Sequence, residues 1–228
     1  MKLLSHTILA ALCALPVLAI SGDFYCAVPD KGPICSHTGY VFAYGGFYFD
    51  YDVDGHEPLF PSNERITMDS GYIVGGGAGV YSSLFNGSRF EIEGLSAKND
   101  IGRITSDIFD GRGFIDYGFK GELATKALMV NVFKEIPISG LTGYLGAGLG
   151  FSDNEITIFN PFATGTTESD FALAYQFIAG VDVPVTNSLD LFLQYKLLGV
   201  SETEYERLDF VVDSHFTHNM VFGARLSF

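Results

Sequence analysis

Positive charge is scarce in this chain of 228 residues, where 13 Lys and Arg stand against 27 Asp and Glu and give a formal net charge of −14 at pH 7. This balance argues against nucleic acid as a partner, because binding phosphate needs clustered Lys and Arg. Tryptophan is absent, and cysteine is limited to three residues. After the first 21 residues no apolar run is long enough for a transmembrane helix, so the mature chain is either exported and released or crosses a membrane as strands.

Glycine and aromatic residues are abundant, with 27 Gly, 21 Phe and 12 Tyr. Glycine at this level is typical of turns and close backbone approach rather than of helices. The mean hydropathy is positive, +0.24, although 18% of the residues are charged. This combination indicates apolar side chains that face something other than water, and no shift in composition divides the chain into more than one folded domain.

Residues 1–21 have the features of a secretory signal peptide. Lys2 gives a positive start, an apolar run follows, and small residues permit cleavage near Ala19 or Ser21. Pro16 interrupts the run, which argues against a membrane anchor helix. The domain organisation expected is a signal peptide at 1–21, a periplasmic segment at 22–38 and one folded domain at 39–228.

Two cysteines, Cys26 and Cys35, remain after the signal peptide. An oxidising compartment would allow them to form a disulfide around a small loop rich in Pro and Gly. A metal site is disfavoured, because the loop offers no ligand set at metal-binding spacing.

From residue 39 onward, apolar and polar residues alternate in eight segments, and this period of two is the pattern of β-strands. The face assignment of the fourth segment is ambiguous. In chain order the segments are YVFAYGGFYFDYD, GYIVGGGAGVYS, SRFEIEGLS, ELATKALMVNVF, GYLGAGLGF, DFALAYQFIAGVDVP, SLDLFLQYKLL and the tail NMVFGARLSF.

The connections between these segments alternate in length. Three are short, namely SLFNGS with its Asn86-Gly87 turn, KEIPISG and PVTNS, and four are long and polar, at roughly residues 53–70, 97–117, 152–169 and 200–214. Outer-membrane barrels have short periplasmic turns and long outer loops. The sequence therefore predicts an all-β fold, an eight-stranded antiparallel up-and-down transmembrane barrel whose last strand closes on its first.

The second half of the chain resembles a known family. ALMVNVF followed by GYLGAGLGF resembles the fourth and fifth strands of the opacity-protein, OmpA-like outer-membrane barrels and bacterial surface antigens, and YQFIAGVDVPVTNSLDLFLQYKLLG resembles their sixth and seventh strands. The closing FGARLSF resembles the terminal strand that the barrel-assembly machinery recognises. The resemblance implies that Phe228, with Leu226 and Phe222, forms an assembly signal.

Charged and polar residues on the non-lipid faces are expected to fill the barrel, because eight strands enclose an interior that side chains occupy. Buried charges must be paired. One interpretation is a structural plug held by ion pairs, and the other is a gated pore for small solutes. The interior residues predicted are Arg89, Glu91, Glu93, Asp182, Gln194, Lys196 and Arg225.

Metal and catalytic motifs are incomplete. Asp50, Asp52 and Asp54 resemble the start of a calcium loop, but Pro61 stands where that loop needs a bidentate Glu. Ser214 and His215 are adjacent and would lie on opposite faces of a strand, so no catalytic triad is readable. We therefore expect neither an enzyme nor a bound cofactor.

The function predicted is that of an integral outer-membrane protein with a structural or surface-interaction role, as an adhesin or antigen. The partners expected are outer-membrane lipid and lipopolysaccharide, the barrel-assembly machinery and a host surface ligand. Two alternatives stay open, a narrow porin-like channel for small solutes and a secreted lipid-binding barrel of the lipocalin type.

Overall fold

The computed structural model describes residues 39–49, 51–56, 63–69, 71–82, 88–107, 114–116, 120–138, 140–159, 166–205 and 210–228. The signal peptide at 1–21, the segment at 22–38 and the predicted Cys26–Cys35 disulfide lie outside the described residues. Within those residues, no helix is long and apolar enough to cross a membrane. The strands are β1 Gly39–Tyr48, β2 Tyr51–His56, β3 Asn63–Met68, β4 Tyr72–Ser82, β5 Ser88–Asp107, β6 Phe114–Asp116, β7 Lys120–Ile138, β8 Leu141–Phe159, β9 Thr166–Pro184, β10 Leu189–Val200, β11 Thr203–Tyr205, β12 Phe210–Val212 and β13 His215–Ser227.

Eight of these strands form a closed antiparallel ring, which confirms the predicted fold. The ring runs β1–β4–β5–β7–β8–β9–β10–β13 and returns to β1. Each strand pairs with the next strand of the ring along the chain, as an up-and-down topology requires. Every ring strand therefore has a partner on both sides, and the barrel has no free edge at the level of the ring.

The two ends of the domain meet at the closure of the ring. The amide of Phe228 donates a hydrogen bond to the Gly39 carbonyl at 3.0 Å, and the amide of Gly39 donates to the Phe228 carbonyl at 3.4 Å. From this point β1 and β13 stay in register to the pair of Tyr48 and Asn219. The last residue of the chain is thus paired with the first residue of the barrel.

Side chains alternate between the lumen and the outside of the ring. On β7, Met129, Asn131 and Phe133 are buried, whereas Val130 and Val132 are exposed. Large apolar side chains cover the outside of every ring strand and form a belt. On β7 and β8 this belt extends over 128–138 and 141–151; its other members include Val41, Phe47, Val74, Val80, Phe90, Ile92, Phe171, Phe177, Leu191, Leu193, Phe222, Leu226 and Phe228.

Four neighbouring strands extend well beyond the belt. β5 has 20 residues, and β7, β8 and β9 have 19 each, whereas about 9–11 tilted residues are enough to cross a bilayer. The extra residues rise roughly 20 Å above the membrane. We call this extension of β5, β7, β8 and β9 the outer wall.

The prediction of long polar loops is wrong for much of the chain assigned to them. Residues 97–107 continue β5, 152–159 continue β8 and 166–169 begin β9. The region 53–70 contains most of β2 and all of β3, and 200–214 contains β11 and β12. Above the membrane the outside of a strand faces water, so its polar residues resemble those of a loop. The inward residues of the same strands, including Ile101, Leu123 and Ile156, are buried.

The glycines of β4 make room for tyrosines of β1. In register, Gly79 lies opposite Tyr40 and Gly75 lies opposite Tyr44. A Cβ atom at Gly79 would overlap the ring of Tyr40, and one at Gly75 would overlap the ring of Tyr44. The GGGAG stretch therefore allows large inward side chains within a narrow barrel.

Deleting Phe228 is expected to lower the amount of assembled barrel several-fold, because it removes the terminal aromatic residue and both backbone hydrogen bonds between Phe228 and Gly39. Phe228→Ala, which retains the backbone bonds, should have a smaller effect of the same sign. The measurement is the fraction of protein in the outer membrane that migrates faster on SDS gels before boiling. Phe216→Ala, at the opposite end of β13, is the matched control. Unchanged levels after the deletion would contradict an assembly role for the terminal residue.

Candidate functional site

The structure places all seven predicted interior side chains in the lumen. Their exposed fractions lie between 0% for Arg89 and Glu93 and 4% for Asp182. They come from β5, β9, β10 and β13, and the charged ones separate into two groups at different heights. Gln194 lies between these groups along β10, two residues before Lys196.

The turn-side cluster lies where the strands meet the short connections. Arg225 Nη1 donates to Asp182 Oδ2 at 2.6 Å, and Arg89 Nη1 contacts the same oxygen at 3.2 Å. Arg89 also reaches Glu135 Oε1 at 2.7 Å and Glu91 Oε1 at 3.3 Å. Two guanidinium groups are thus held by three carboxylates, which link β5, β7, β9 and β13 across the lumen.

Aromatic rings cover the faces of the two guanidinium groups. Arg89 Cζ lies 4.5 Å from the ring centroid of Phe133 and 4.2 Å from that of Tyr144. Arg225 Cζ lies 4.9 Å from the ring of Tyr40. These cation–π contacts exclude water from the guanidinium faces, while the carboxylates occupy their edges.

The central cluster is built around Glu93, which has an exposed fraction of 0%. Lys196 Nζ and the Tyr44 hydroxyl both donate to Oε1 of Glu93. The amides of Asn131 and Gln176 each donate to Oε2 at 2.7 Å. One carboxylate therefore joins β1, β5, β7, β9 and β10, and its charge is balanced by one ammonium group.

Three members of the central cluster and one of the turn-side cluster are absent from the interior residues predicted from sequence. They are Tyr44, Asn131 and Gln176 in the first and Glu135 in the second. Asn131 carries a usable signal, because it is the one polar residue between Ala127 and Phe133 in β7. Tyr44 gives no such signal, since a tyrosine in an apolar strand fits either face.

An apolar layer of buried side chains lies in the lumen beyond the central cluster, on the side away from the short turns. Each strand carries an apolar inward residue two positions further from its short turn than the central cluster. These residues are Leu95 above Glu93, Met129 above Asn131 and Leu198 above Lys196. The exposed fractions of these three apolar residues are 5%, 0% and 1%. They join one hydrophobic cluster whose other members at this end include Tyr48, Ile73, Ala97, Ala174 and Val221. A layer of this kind excludes water from the axis of the barrel.

The outer wall has a small core of its own. The hairpin of β11 and β12 lies beside β9, where the Glu204 amide donates to Asp170 Oδ2 at 3.0 Å. The Tyr205 hydroxyl donates to the Asn154 carbonyl at 3.4 Å, and burial raises the pKa of Tyr205 to about 12. These contacts hold the wall as ordered sheet above the membrane.

The outward surface of the wall is mostly polar and of mixed charge, with Phe159 at the end of β8 as an exposed apolar exception. Lys98 Nζ and Glu122 Oε2 are 2.8 Å apart, and this hydrogen bond raises the pKa of Lys98. Thr157 and Thr167 share a hydrogen bond at 3.0 Å between adjacent strands. Other exposed residues of this surface are Asp100, Lys126, Glu155 and Ser169.

The candidate metal ligands are not gathered into a site in the described part of the chain. Asp50 lies outside the described residues, and so do the side chains of Asp52 and Asp54, while a group of three or more His, Cys, Asp or Glu at metal-binding distance is not found among the others. His218 Nδ1 contacts the Tyr195 hydroxyl, and His215 Nδ1 lies 3.1 Å from the Asp213 carbonyl. The two histidines therefore have separate partners.

The chain forms a closed ring of eight antiparallel strands, with lipid-compatible side chains outside and paired charges inside. This combination is typical of one class of membrane protein. The fold is that of an outer-membrane barrel. The apolar belt fits the hydrocarbon of the bilayer and places the barrel in the outer membrane.

Comparison with solved structures agrees with this fold. The barrel is similar to a major outer membrane protein of Thermus thermophilus (TM-score 0.55, 13% identity, 85% of this chain and 100% of that one). It is also similar to Neisserial surface protein A, with a TM-score of 0.52 and 16% identity over 83% of this chain and 97% of that one. The outer membrane protease OmpT of Escherichia coli is similar with a TM-score of 0.51 and 5% identity over 85% of this chain and 97% of that one. The sequence matches no protein-family model and no curated protein. Identities this low establish the fold alone.

Lys196→Met is expected to lower the free energy of unfolding by about 3–5 kcal/mol, because it leaves the Glu93 carboxylate buried without its cation. Glu93→Gln should have a similar cost, since it leaves the ammonium group unpaired. The double variant should recover most of the loss. The measurement is equilibrium unfolding of the barrel in urea and lipid.

Lys126→Met is the matched control for this cycle, because Lys126 is exposed on the wall, and its effect should stay within about 0.5 kcal/mol. Additive losses in the double variant would show that Glu93 and Lys196 do not act as a pair.

Proposed function

We propose that this protein is an integral outer-membrane barrel whose role is structural and interactive rather than transporting, and that it acts through the outer wall. The observation that carries the proposal is the contrast between the two ends of the barrel. The lumen is filled by two ion-paired clusters and an apolar layer, whereas β5, β7, β8 and β9 continue as ordered sheet beyond the belt. In this proposal the short turns lie on the periplasmic side and the wall lies outside the cell.

The filled lumen argues against both alternatives. A pore for small solutes needs a continuous wet path, but Leu95, Met129 and Leu198 are buried together in one hydrophobic cluster inside the described lumen. A secreted lipid carrier needs an apolar cavity inside and a polar surface outside. The barrel has the opposite arrangement, with paired charges inside and exposed apolar side chains such as Phe177 and Leu149 outside.

The wall offers a partner a rigid, polar surface. Its strands are paired with one another and braced by Asp170 and Tyr205, so binding there costs little ordering of the backbone. The mixed charges of Lys98, Glu122 and Glu155 suit polar partners, and we propose lipopolysaccharide near the membrane and a host surface ligand further out. The same fold occurs in a Neisserial surface protein, which is compatible with a surface role. OmpT is a protease, but we propose no catalytic role for this chain.

Cysteine labelling in intact cells tests the orientation of the wall. Ser169→Cys lies on exposed wall, and Asn187→Cys lies on the exposed short connection between β9 and β10. A maleimide that cannot cross the membrane should label Ser169→Cys in intact cells, and Asn187→Cys only after the outer membrane is permeabilised. The chain without either substitution measures the background from its native cysteines. If Asn187→Cys were labelled in intact cells and Ser169→Cys only after permeabilisation, the proposed orientation would be overturned.

Electrical recording in planar bilayers separates a structural barrel from a channel. The folded, SDS-resistant barrel is expected to give no single-channel steps, because the apolar layer leaves no hydrated path for ions. Repeated steps from protein that retains its heat-dependent migration would favour the porin-like alternative. Steps that appear only in preparations that have lost this migration would not, since unfolded barrels damage bilayers.

A further inference from the structure

A notch interrupts the apolar belt on the outside of β7 and β8. It has a volume of about 350 Å³ and is lined chiefly by Val132, Lys134, Leu145 and Ala147. These four side chains face outward; the lining is mostly apolar, and its polar residues are Lys134 and Ser88. We call this feature the belt notch.

The notch exists because a small residue interrupts a row of large ones. Ala147 faces outward between Leu145 and Leu149, whose exposed fractions are 57% and 65%. Across the strands Ala147 lies opposite Val132 and Phe177, and Val132 lies opposite Phe90. A low floor of Val132 and Ala147 therefore lies between strands that carry exposed phenyl rings on either side.

The charged end of the notch lies on the side of the short turns, which the proposed orientation makes periplasmic. Lys134 pairs in register with Ser88, the first residue of β5 after the short connection at 83–87. Its long side chain can lie along apolar surface while its ammonium group reaches the lipid headgroups. Among the side chains that the structure describes, Lys134 is the one Lys or Arg that faces outward on this half of the barrel; Lys98 and Lys126 lie on the wall, and Arg89 and Arg225 face inward.

We propose that the belt notch holds one anionic glycerophospholipid of the periplasmic leaflet, with an acyl chain on the floor of Val132 and Ala147 and the phosphate on the ammonium group of Lys134. The inference rests on the proposed orientation of the barrel. A mostly apolar notch that opens to hydrocarbon suits an acyl chain better than water, because water needs two to four polar partners. A cation at its periplasmic end is complementary to an acidic headgroup, and lipopolysaccharide belongs to the opposite leaflet.

Native mass spectrometry of the intact barrel tests this site. The chain purified in mild detergent is expected to retain one phospholipid, and after delipidation it should rebind phosphatidylglycerol better than phosphatidylcholine of the same chain length. Ala147→Leu, which fills the notch, should abolish retention of the lipid. Lys134→Gln should reduce the preference for phosphatidylglycerol about fivefold, as expected for loss of one cationic contact near a membrane surface.

Two variants control for general effects of surface changes. Ala43→Leu enlarges another outward alanine, on β1, and Lys126→Gln removes an outward cation elsewhere on β7. Both should retain the lipid and the preference. The site would be overturned if Ala147→Leu retained as much lipid as the unsubstituted chain, or if Ala43→Leu lost as much lipid as Ala147→Leu. A mass that showed a second copy of the chain in place of lipid would also overturn it.

The migration of each variant on SDS gels distinguishes failure of the notch from failure of the fold. If the variants keep heat-dependent migration and also keep unchanged lipid binding, the proposed lipid site is wrong but the barrel fold stands. If the unsubstituted chain itself shows no heat-dependent migration, the membrane barrel on which the notch depends is contradicted instead.

Discussion

A strand inside a bilayer has no water to satisfy its amide groups, and this constraint determines the architecture of the whole chain. Every N–H and C=O group within the belt needs a partner strand, so the sheet must close. The pairing of Phe228 with Gly39 completes that closure. The strand count then fixes the width of the lumen, because eight strands leave room for side chains and little else.

A lumen this narrow imposes its own requirements on the residues that fill it. Each charge inside must find its counter-ion within a few strands, which is why Glu93 gathers donors from four other strands and Asp182 receives two guanidinium groups. Buried ion pairs contribute less stability than their number suggests, since desolvation offsets most of the attraction. Their clearer consequence is that any change of register would leave charges unpaired, so the clusters specify one arrangement of the strands.

The fold and most interior charges could be predicted from the sequence for the same physical reason. Lipid outside and paired charges inside force a period of two, so Arg89, Glu91 and Glu93 alternate with exposed apolar residues along β5. The rule fails where both faces have similar chemistry. On β7 the inward Met129 and the outward Val130 are both apolar, so Asn131 is the one residue of the stretch 127–133 whose polarity marks the inward face. Above the membrane both faces can be polar, so 152–159 resembles a loop although Asn154 and Ile156 point inward.

The same contrast of environments separates the parts of the molecule on which function can act. Within the belt, side chains are fixed by lipid on one side and by the ionic clusters on the other, so a substitution there changes stability or assembly first. The wall is free of the lipid constraint but still paired as sheet, and it can vary its outward residues without loss of the fold. In the proposed role, Lys98, Glu122 and Glu155 are the residues that would meet a partner, and the barrel below would supply position and rigidity. The belt notch is the exception to this division, because there a small residue and a cation replace the large apolar side chains of the belt.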